Sequence, residues 1–281
     1  MIFCTICSIF GIFFTQMINH NNFKAHFRAV RQQSPLVHNI TNYVAMNFSA
    51  NALLAIGASP VMAHAAQEVE EMAQLAGALV INIGTLDEKW IESMIIAGKT
   101  KRQAGGIVVF DPVGVGATTY RSQTAWRIIE ACHPNIIRGN ASEIMALVNT
   151  DVKSKGVDSS CKSQDALQAA QQLAQRTQAV VVVSGEIDYI TDGSQVETLC
   201  NGSDMMPRVT AMGCTASSMI GAFAAVQPNN PFESALHAMA VMGIAGEIAA
   251  QKATGPGSLL TCFVDTLYNL TEDQLIETLR Q

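Results

Sequence analysis

The chain is poor in charge: aspartate, glutamate, lysine and arginine make up only 14% of its 281 residues, and the net charge at pH 7 is −6. Disordered segments combine high charge with few apolar residues, whereas 49% of this sequence is hydrophobic. A surface that binds nucleic acid needs clustered basic residues, and this acidic balance provides none. The composition therefore predicts a well-packed globular protein whose partner is a small molecule, not a nucleic acid.

Long apolar runs are also scarce. Residues 1–14 are almost wholly apolar, but they are too short to span a bilayer and lack the basic start and cleavage site of a signal peptide. They are interpreted either as an interfacial anchor or as the product of a misplaced start codon, with Met17 as the natural beginning. We expect one domain over residues 17–281 preceded by an apolar extension over 1–16, no membrane partner, and a cytoplasmic location.

Familiar patterns of reactive residues are missing as well. The seven cysteines include a lone C-x-x-C at Cys4 and Cys7, with no second pair at zinc spacing, so reduced thiols are expected. Neither a paired-histidine metal motif nor a Ser-His-Asp order stands out. Residues 93–100 end like a P-loop but start with serine, and the glycine pair at 114 and 116 lacks a third glycine. Because of these departures, the sequence supports neither a P-loop nucleotidase nor a nicotinamide-dependent enzyme.

Apolar strands alternate with helices through most of the chain. Short apolar runs at 78–83, 107–110, 136–137 and 179–183 are typical of buried parallel strands, and helical patterns separate them. This rhythm predicts a mostly parallel central sheet with helices on both faces.

An antiparallel extension of the sheet is expected after residue 186. Three short segments, 187–191, 195–200 and 205–209, are separated by Asp-Gly at 192–193 and Asn-Gly at 201–202, which favour hairpin turns. Further helices are predicted over 42–56 and through the last third of the chain, and 149–163 is predicted to be a surface loop. The fold class is therefore α/β.

Chemically useful side chains fall at the predicted carboxyl ends of three strands, where open α/β sheets bind ligands. Asp111 could hold Mg²⁺, or it could simply cap its loop. Arg138 follows two isoleucines and needs an anionic partner, either a phosphate or Glu143. Glu143 is also placed to form a capping box with Asn140. Ser184 could donate to a phosphate oxygen or cap a turn.

A glycine and a cysteine begin an alanine-rich helix predicted over 214–226. The first N–H groups of a helix lack partners within it, and the helix dipole adds positive character, so such a start attracts anions. Cys214 at this position is expected to ionise more easily than a free thiol. The alternative is a helix start that needs Gly213 for its turn and a small buried thiol for packing.

Taken in order, these motifs resemble the hydroxyethylthiazole kinase family. The resemblance covers nearly the whole chain from Ser34 and is carried by the segments 34–42, 57–62, 82–86, 111–114, 138–143, 184–186 and 213–214.

The resemblance implies a ribokinase-like fold and ATP-dependent phosphorylation of the alcohol of 4-methyl-5-(2-hydroxyethyl)thiazole, a salvage step towards thiamine. It further implies a homotrimer with the thiazole bound near a subunit interface. The implied roles by residue are thiazole contact for Met62 and Ala211, ATP contact for Arg138 and Ser184, Mg²⁺ binding for Asp111 and Glu143, and a place beside the substrate hydroxyl for Gly213 and Cys214.

Two features of the sequence depart from the family pattern. Many relatives have glycine at the position of Ala211, which implies a slightly tighter pocket edge here. Related vitamin kinases carry an aspartate as base at the position of Cys214. The rival interpretations are a kinase of hydroxymethylpyrimidine or pyridoxal, a ribokinase-like repair lyase that acts on hydrated nicotinamide cofactors, and a non-catalytic thiazole-binding protein.

Overall fold

The computed structural model describes residues 18–148 and 163–281. Within them, eight strands form one sheet in the order β2-β1-β3-β4-β5-β6-β7-β8. The strands are β1 (Leu36–Ile40), β2 (Ser59–Val61), β3 (Ala78–Asn82), β4 (Ile107–Asp111), β5 (Ile136–Asn140), β6 (Val180–Ser184), β7 (Asp188–Thr191) and β8 (Val196–Leu199). Strands β1 to β6 are parallel, and β7 and β8 extend the sheet antiparallel. The predicted mostly parallel sheet with an antiparallel extension is confirmed.

Helices cover both faces of this sheet. The helices of the described residues are α1 (His20–Gln33), α2 (Met46–Ile56), α3 (Val69–Leu75), α4 (Glu88–Gln103), α5 (Thr119–Cys132), α6 (Ala141–Val148), α7 (Ser163–Thr177), α8 (Met212–Val226), α9 (Pro231–Lys252), α10 (Pro256–Asn269) and α11 (Glu272–Thr278). None of these helices is both long and apolar enough to cross a bilayer.

Two apolar cores result from the alternation of side chains along the central strands. Val80 and Val109 pack on one face with helices such as α8, whose Phe223 is fully buried. Leu79 and Phe110, their neighbours in sequence, pack on the opposite face with α3 to α7. Helix α8 contacts β1, β3 and β4, so its first residues are held over the middle of the sheet.

The predicted strand over 205–209 is wrong, and so is the hairpin at 201–202. A 3₁₀ helix, Met206–Arg208, occupies this stretch instead. Pro207 removes one backbone donor, and the N–H groups of Met206, Arg208 and Val209 bond to carbonyls three residues earlier. The chain therefore turns away from the sheet after β8 and leads into α8.

The other boundaries differ by a few residues. The helix predicted from residue 42 begins at Met46, because the Asn42 side chain accepts the N–H groups of Val44 and Ala45 in a turn. Helix α1 and strand β1 had no counterpart in the predicted elements. The apolar extension over 1–16 and all but the last residue of the loop predicted over 149–163 lie outside the described residues.

Candidate active site

Polar residues end four neighbouring parallel strands. Asn82 ends β3, Asp111 ends β4, Asn140 ends β5 and Ser184 ends β6. The register pairs Asn82 with Asp111 and Asn140 with Ser184. Because the strands are parallel, these side chains share the carboxyl edge of the sheet, where α/β proteins bind ligands.

Asp111 is the most deeply buried of them, with no exposed surface. Its Oδ2 accepts hydrogen bonds from Asn82 Nδ2 at 2.9 Å and Ser217 Oγ at 2.7 Å. The pKa of the carboxyl group is raised to about 7, mainly by burial; Arg138, Ser217 and Asn82 act to lower it, and the charge of Glu143 acts to raise it. Its Oδ1 has no hydrogen-bond partner among the described residues. A role limited to capping a loop would leave this buried oxygen unexplained.

Arg138 links this carboxylate to the next strands. Its Nη2 donates to Ser184 Oγ at 2.5 Å, and its Nη1 lies 3.9 Å from Asp111 Oδ2. Arg138 is buried, and its Nε has no partner among the described residues. Its carboxylate partner is therefore Asp111 and not Glu143, and the long 3.9 Å separation leaves donors available for a further anion.

Glu143 is held by backbone groups of two strand ends. Its Oε2 accepts the N–H of Asn140 at 2.8 Å, and Asn140 Oδ1 accepts the N–H of Glu143 at 2.9 Å. This is the predicted capping box at the start of α6. The other oxygen, Oε1, accepts the N–H of Gly114 at 2.9 Å in the loop after β4. Glu143 thus connects the ends of β4 and β5 beside Asp111.

The start of α8 lies against this group. Its N-cap, Ala211, has a left-handed backbone (φ 67°) and makes no side-chain capping bond. The residue with the strained turn conformation is therefore Ala211, and the alternative interpretation, in which the turn needs Gly213, is wrong on this point. Gly213 is needed for space, because a Cβ there would lie 2.7 Å from Arg138 Nη1. The uncapped helix start and the Arg138 guanidinium together make this spot attractive to anions.

Cys214 follows directly, but its thiol is not activated. Burial raises its pKa to about 11, the charge of Asp111 adds to the rise, and Asn42, Asn82 and Arg138 oppose it. The expected easier ionisation is wrong, because desolvation and a nearby carboxylate outweigh the helix start. The Sγ atom accepts a hydrogen bond from Asn42 Nδ2 at 3.3 Å.

Three polar residues complete the network without having been assigned a role from sequence. Asn42 Nδ2 donates to Asn82 Oδ1 at 2.8 Å, so the two amides connect Cys214 to Asp111. Ser217, one turn after Cys214, reaches the same carboxylate. One signal was present: Asn82 is the only polar residue in an otherwise apolar strand, and an amide there needs a partner.

Met62 and Ala211, the two residues implied to contact the thiazole, are not part of this hydrogen-bond network. Met62 is half-buried just after β2, and β1 lies between β2 and β3. Ala211 is half-buried next to the α8 start. The structure therefore brings Asp111, Arg138, Ser184, Gly213 and Cys214 into one contiguous group, and Met62 lies at the edge of the same strand-end surface.

The donor set of this group fits a hard divalent cation together with phosphate. No group of three or more His, Cys, Asp or Glu in residues 18–148 and 163–281 could hold a metal alone. Two carboxylates, Asp111 with its unpartnered Oδ1 and Glu143, suit Mg²⁺, which takes its other ligands from water and substrate phosphates. Arg138 and the N–H groups of α8 can bind phosphate oxygens alongside.

The mostly parallel sheet with its antiparallel extension is a ribokinase-like fold. A solved structure described as a ribokinase-like superfamily protein from Enterococcus faecalis superposes with a TM-score of 0.60 at 12% identity, covering 89% of each chain. That likeness establishes the fold alone.

The sequence places the chain more narrowly, because residues 27–273 match the hydroxyethylthiazole kinase family. The chain belongs to this family. It is 52% identical over 250 residues to the hydroxyethylthiazole kinase of Leptospira biflexa, covering 89% of this chain and 93% of the relative. The structure of a hydroxyethylthiazole kinase protein from Pyrococcus horikoshii superposes with a TM-score of 0.85 at 38% identity, covering 92% and 98% of the two chains.

Proposed function

We propose that the protein transfers the γ-phosphate of ATP to the primary alcohol of 4-methyl-5-(2-hydroxyethyl)thiazole, a salvage step towards thiamine. Family membership supports the kinase activity and the substrate. The observation that carries the chemistry is the buried Asp111–Arg138 pair beneath the uncapped start of α8, with Cys214 beside it. Phosphoryl transfer depends mainly on positioning and on neutralising charge, which are what such a group provides.

The proposed reaction is a direct transfer of the γ-phosphoryl group from ATP to the alcohol. The alcohol oxygen forms a bond to the γ-phosphorus, the bond from that phosphorus to the bridging oxygen breaks, ADP leaves with the electron pair, and the alcohol proton passes to solvent water. Arg138 and Ser184 contact ATP, and the N–H groups at Gly213 and Cys214 face the negative charge that grows on the transferring group.

Asp111 and Glu143 would hold Mg²⁺, directly or through water. When bound, the ion neutralises phosphate charge. Asp111 is held for this purpose by Asn82 and Ser217, which leave its Oδ1 available. At pH 7 the Cys214 thiol is neutral, because its pKa is about 11. Cys214 therefore orients the alcohol and contributes little as a base.

Met62 and Ala211 line the thiazole site, and the protein acts as a homotrimer in the cytoplasm. The apolar surface next to the site supports a subunit contact: Tyr43 and Val44, which follow Asn42, are 64% and 59% exposed, and Leu54 on α2 is 60% exposed. Size-exclusion chromatography with light scattering should find about three times the 30.0 kDa chain mass. A monomer at micromolar concentration would contradict the trimer.

One assay tests the function. Purified protein is incubated with ATP and Mg²⁺ and, in parallel, with hydroxyethylthiazole, hydroxymethylpyrimidine or pyridoxal. We expect ADP and a phosphorylated product with the thiazole. Turnover of the pyrimidine alone would overturn the substrate assignment. Thiazole binding without turnover would favour a non-catalytic binding protein.

A further inference from the structure

Arg121, in the first turn of α5, makes hydrogen bonds that have no role in the mechanism proposed above. Its Nη1 donates to the carbonyls of Ile83 and Val113, both at 2.8 Å, and its Nη2 donates to the carbonyl of Gly84 at 2.9 Å. No ion pair within the described ranges includes this arginine. One guanidinium thus joins the loops that follow β3 and β4, the strands that end in Asn82 and Asp111.

Two of these carbonyls belong to peptide groups whose opposite ends touch the site. In the Ile83–Gly84 peptide, the carbonyl accepts from Arg121 while the N–H of Gly84 donates to Asn82 Oδ1 at 3.0 Å. In the Val113–Gly114 peptide, the carbonyl accepts from Arg121 while the N–H of Gly114 donates to Glu143 Oε1 at 2.9 Å. A cation at the carbonyl end polarises a peptide and strengthens the bond made by its N–H.

The first peptide determines how the Asn82 amide points. Asn82 Oδ1 faces two donors, the N–H of Gly84 and Asn42 Nδ2, so its Nδ2 is left to donate to Asp111 Oδ2. With the amide reversed, its NH₂ would face both donors and its oxygen would face the carboxylate. Fixing the Ile83–Gly84 peptide therefore fixes the donor that holds Asp111.

The second peptide positions Glu143 in the same way. Gly114 has a left-handed backbone (φ 73°), so its N–H direction depends on how the loop is held. Arg121 holds the carbonyl of that peptide, and Glu143 accepts at the other end. The two carboxylates of the site are thus oriented through two peptide groups whose carbonyls both accept hydrogen bonds from the Arg121 side chain.

We propose that Arg121 is a positioning residue for phosphoryl transfer: through the Ile83–Gly84 and Val113–Gly114 peptides it orients Asn82 and Glu143, and hence the carboxylates that receive the metal–nucleotide complex. The proposal rests on the proposed kinase function. It differs from a purely structural role, which would affect the folded fraction but not the Mg²⁺ dependence of the folded enzyme.

The test compares Arg121→Met and Arg121→Lys with a matched control. Arg127 lies on the same helix, is exposed, and pairs only at the surface with Glu88, so Arg127→Met removes an arginine from α5 without touching the loops. In Arg121→Met we expect kcat to fall about 10- to 100-fold. The Mg²⁺ concentration for half-maximal rate should rise about tenfold, and the KM for the thiazole should change by less than about twofold. The kcat and Mg²⁺ half-saturation of Arg121→Lys should lie between those of the wild type and those of Arg121→Met, because the lysine ammonium lacks the planar guanidinium fork that reaches three carbonyls.

Unfolding midpoints and circular dichroism ensure that only folded protein is compared. If Arg121→Met does not fold, the comparison with Arg127→Met is made with Arg121→Lys. Folded Arg121 variants with the kcat and the Mg²⁺ half-saturation of Arg127→Met would overturn the proposal. If the wild-type protein phosphorylates no thiazole, the proposed function fails, and calorimetric binding of Mg²⁺–ADP still decides the role of Arg121. Binding weakened about tenfold in Arg121→Met supports the role, and unchanged binding refutes it.

Discussion

A single methyl group added at Gly213 should separate catalysis from stability. A Cβ at this position would lie 2.7 Å from Arg138 Nη1, 3.2 Å from Nη2 and 3.4 Å from Cζ. Restoring an ordinary contact of 3.4 Å requires the guanidinium to retreat by about 0.7 Å. Such a shift breaks the 2.5 Å bond to Ser184 or lengthens the 3.9 Å approach to Asp111.

The Gly213→Ala substitution should lower the catalytic rate without lowering the stability of the fold. Misplacing a positioned group by about 1 Å can reduce a rate about 10²-fold, so Gly213→Ala should lower kcat/KM for ATP about 10- to 100-fold. That loss corresponds to ~1.4–2.7 kcal/mol of transition-state stabilisation. Gly213 lies in the first turn of α8 and has no left-handed φ, and alanine in a helix is favoured over glycine by up to about 1 kcal/mol. The unfolding midpoint should therefore not fall.

The measurement is steady-state kinetics with varied ATP, with differential scanning calorimetry on the same preparation. Gly257→Ala is the matched control, because Gly257 also lies in the first turn of a helix, α10, and a Cβ there meets nothing within 4 Å. Its kinetics should equal those of the wild type. A Gly213→Ala enzyme with wild-type kcat/KM for ATP would refute the placement of Arg138 in the nucleotide site.

Three further predictions concern the thiol, the left-handed turn and the buried histidines. Because the pKa of Cys214 is raised to about 11, iodoacetamide at pH 7.5 should alkylate Cys214 roughly 100-fold more slowly than it alkylates glutathione, as measured by peptide mass spectrometry; equal rates would show that the pKa of this thiol is not raised. Ala211→Gly relieves the left-handed alanine (φ 67°), and this gain exceeds the entropy that glycine adds to the unfolded chain, so the free energy of unfolding should rise by up to about 1 kcal/mol; a fall in the free energy of unfolding would contradict the strain. His237 is buried with its Nδ1 3.0 Å from His26 Nδ1, and burial lowers its pKa to about 3. A lowered pKa means that stability is present above pH 6.5 and is lost as the pH falls towards 3, by up to ~1.4 kcal/mol per pH unit, with His26 acting in the same direction. Asp111, whose pKa is raised to about 7, has the opposite effect over the same range, so the test compares the thermal unfolding of the wild type and His237→Gln between pH 7.5 and 5. The wild type should lose more stability than the variant as the pH falls, and equal losses would refute the contribution of His237.

The fold was largely predictable because its central strands are short apolar runs separated by amphipathic helices. Val180 and Phe110, for example, lie in short apolar runs of the kind that is typical of covered parallel strands. The segment around Pro207 was not predictable in the same way. Its Asn-Gly pair favours a hairpin locally, but proline and three turn bonds redirect the chain into a 3₁₀ helix.

The site was predictable where a residue type is unusual for its element. A buried arginine after two isoleucines requires an anion, and an aspartate at a strand end is placed for ligands. The pKa values and ion pairs of the site depend on distances between residues of different strands. The periodicity of apolar residues in the sequence gives no information on those distances. Local reasoning assigned Cys214 an activated thiol, whereas burial and the Asp111 charge raise its pKa. Likewise, the carboxylate that faces Arg138 comes from the neighbouring strand and not from Glu143 five residues on.

In the proposed mechanism, the buried Asp111–Arg138 pair beneath α8, and not a Cys214 thiolate, supplies the chemistry. The most direct test compares kcat for ATP-dependent phosphorylation of hydroxyethylthiazole by the wild-type, Cys214→Ala and Arg138→Ala proteins at matched folded fractions. We expect a modest loss of kcat, about tenfold or less, for Cys214→Ala, and a loss of about 10²-fold or more for Arg138→Ala. A Cys214→Ala loss as large as that of Arg138→Ala would contradict this mechanism.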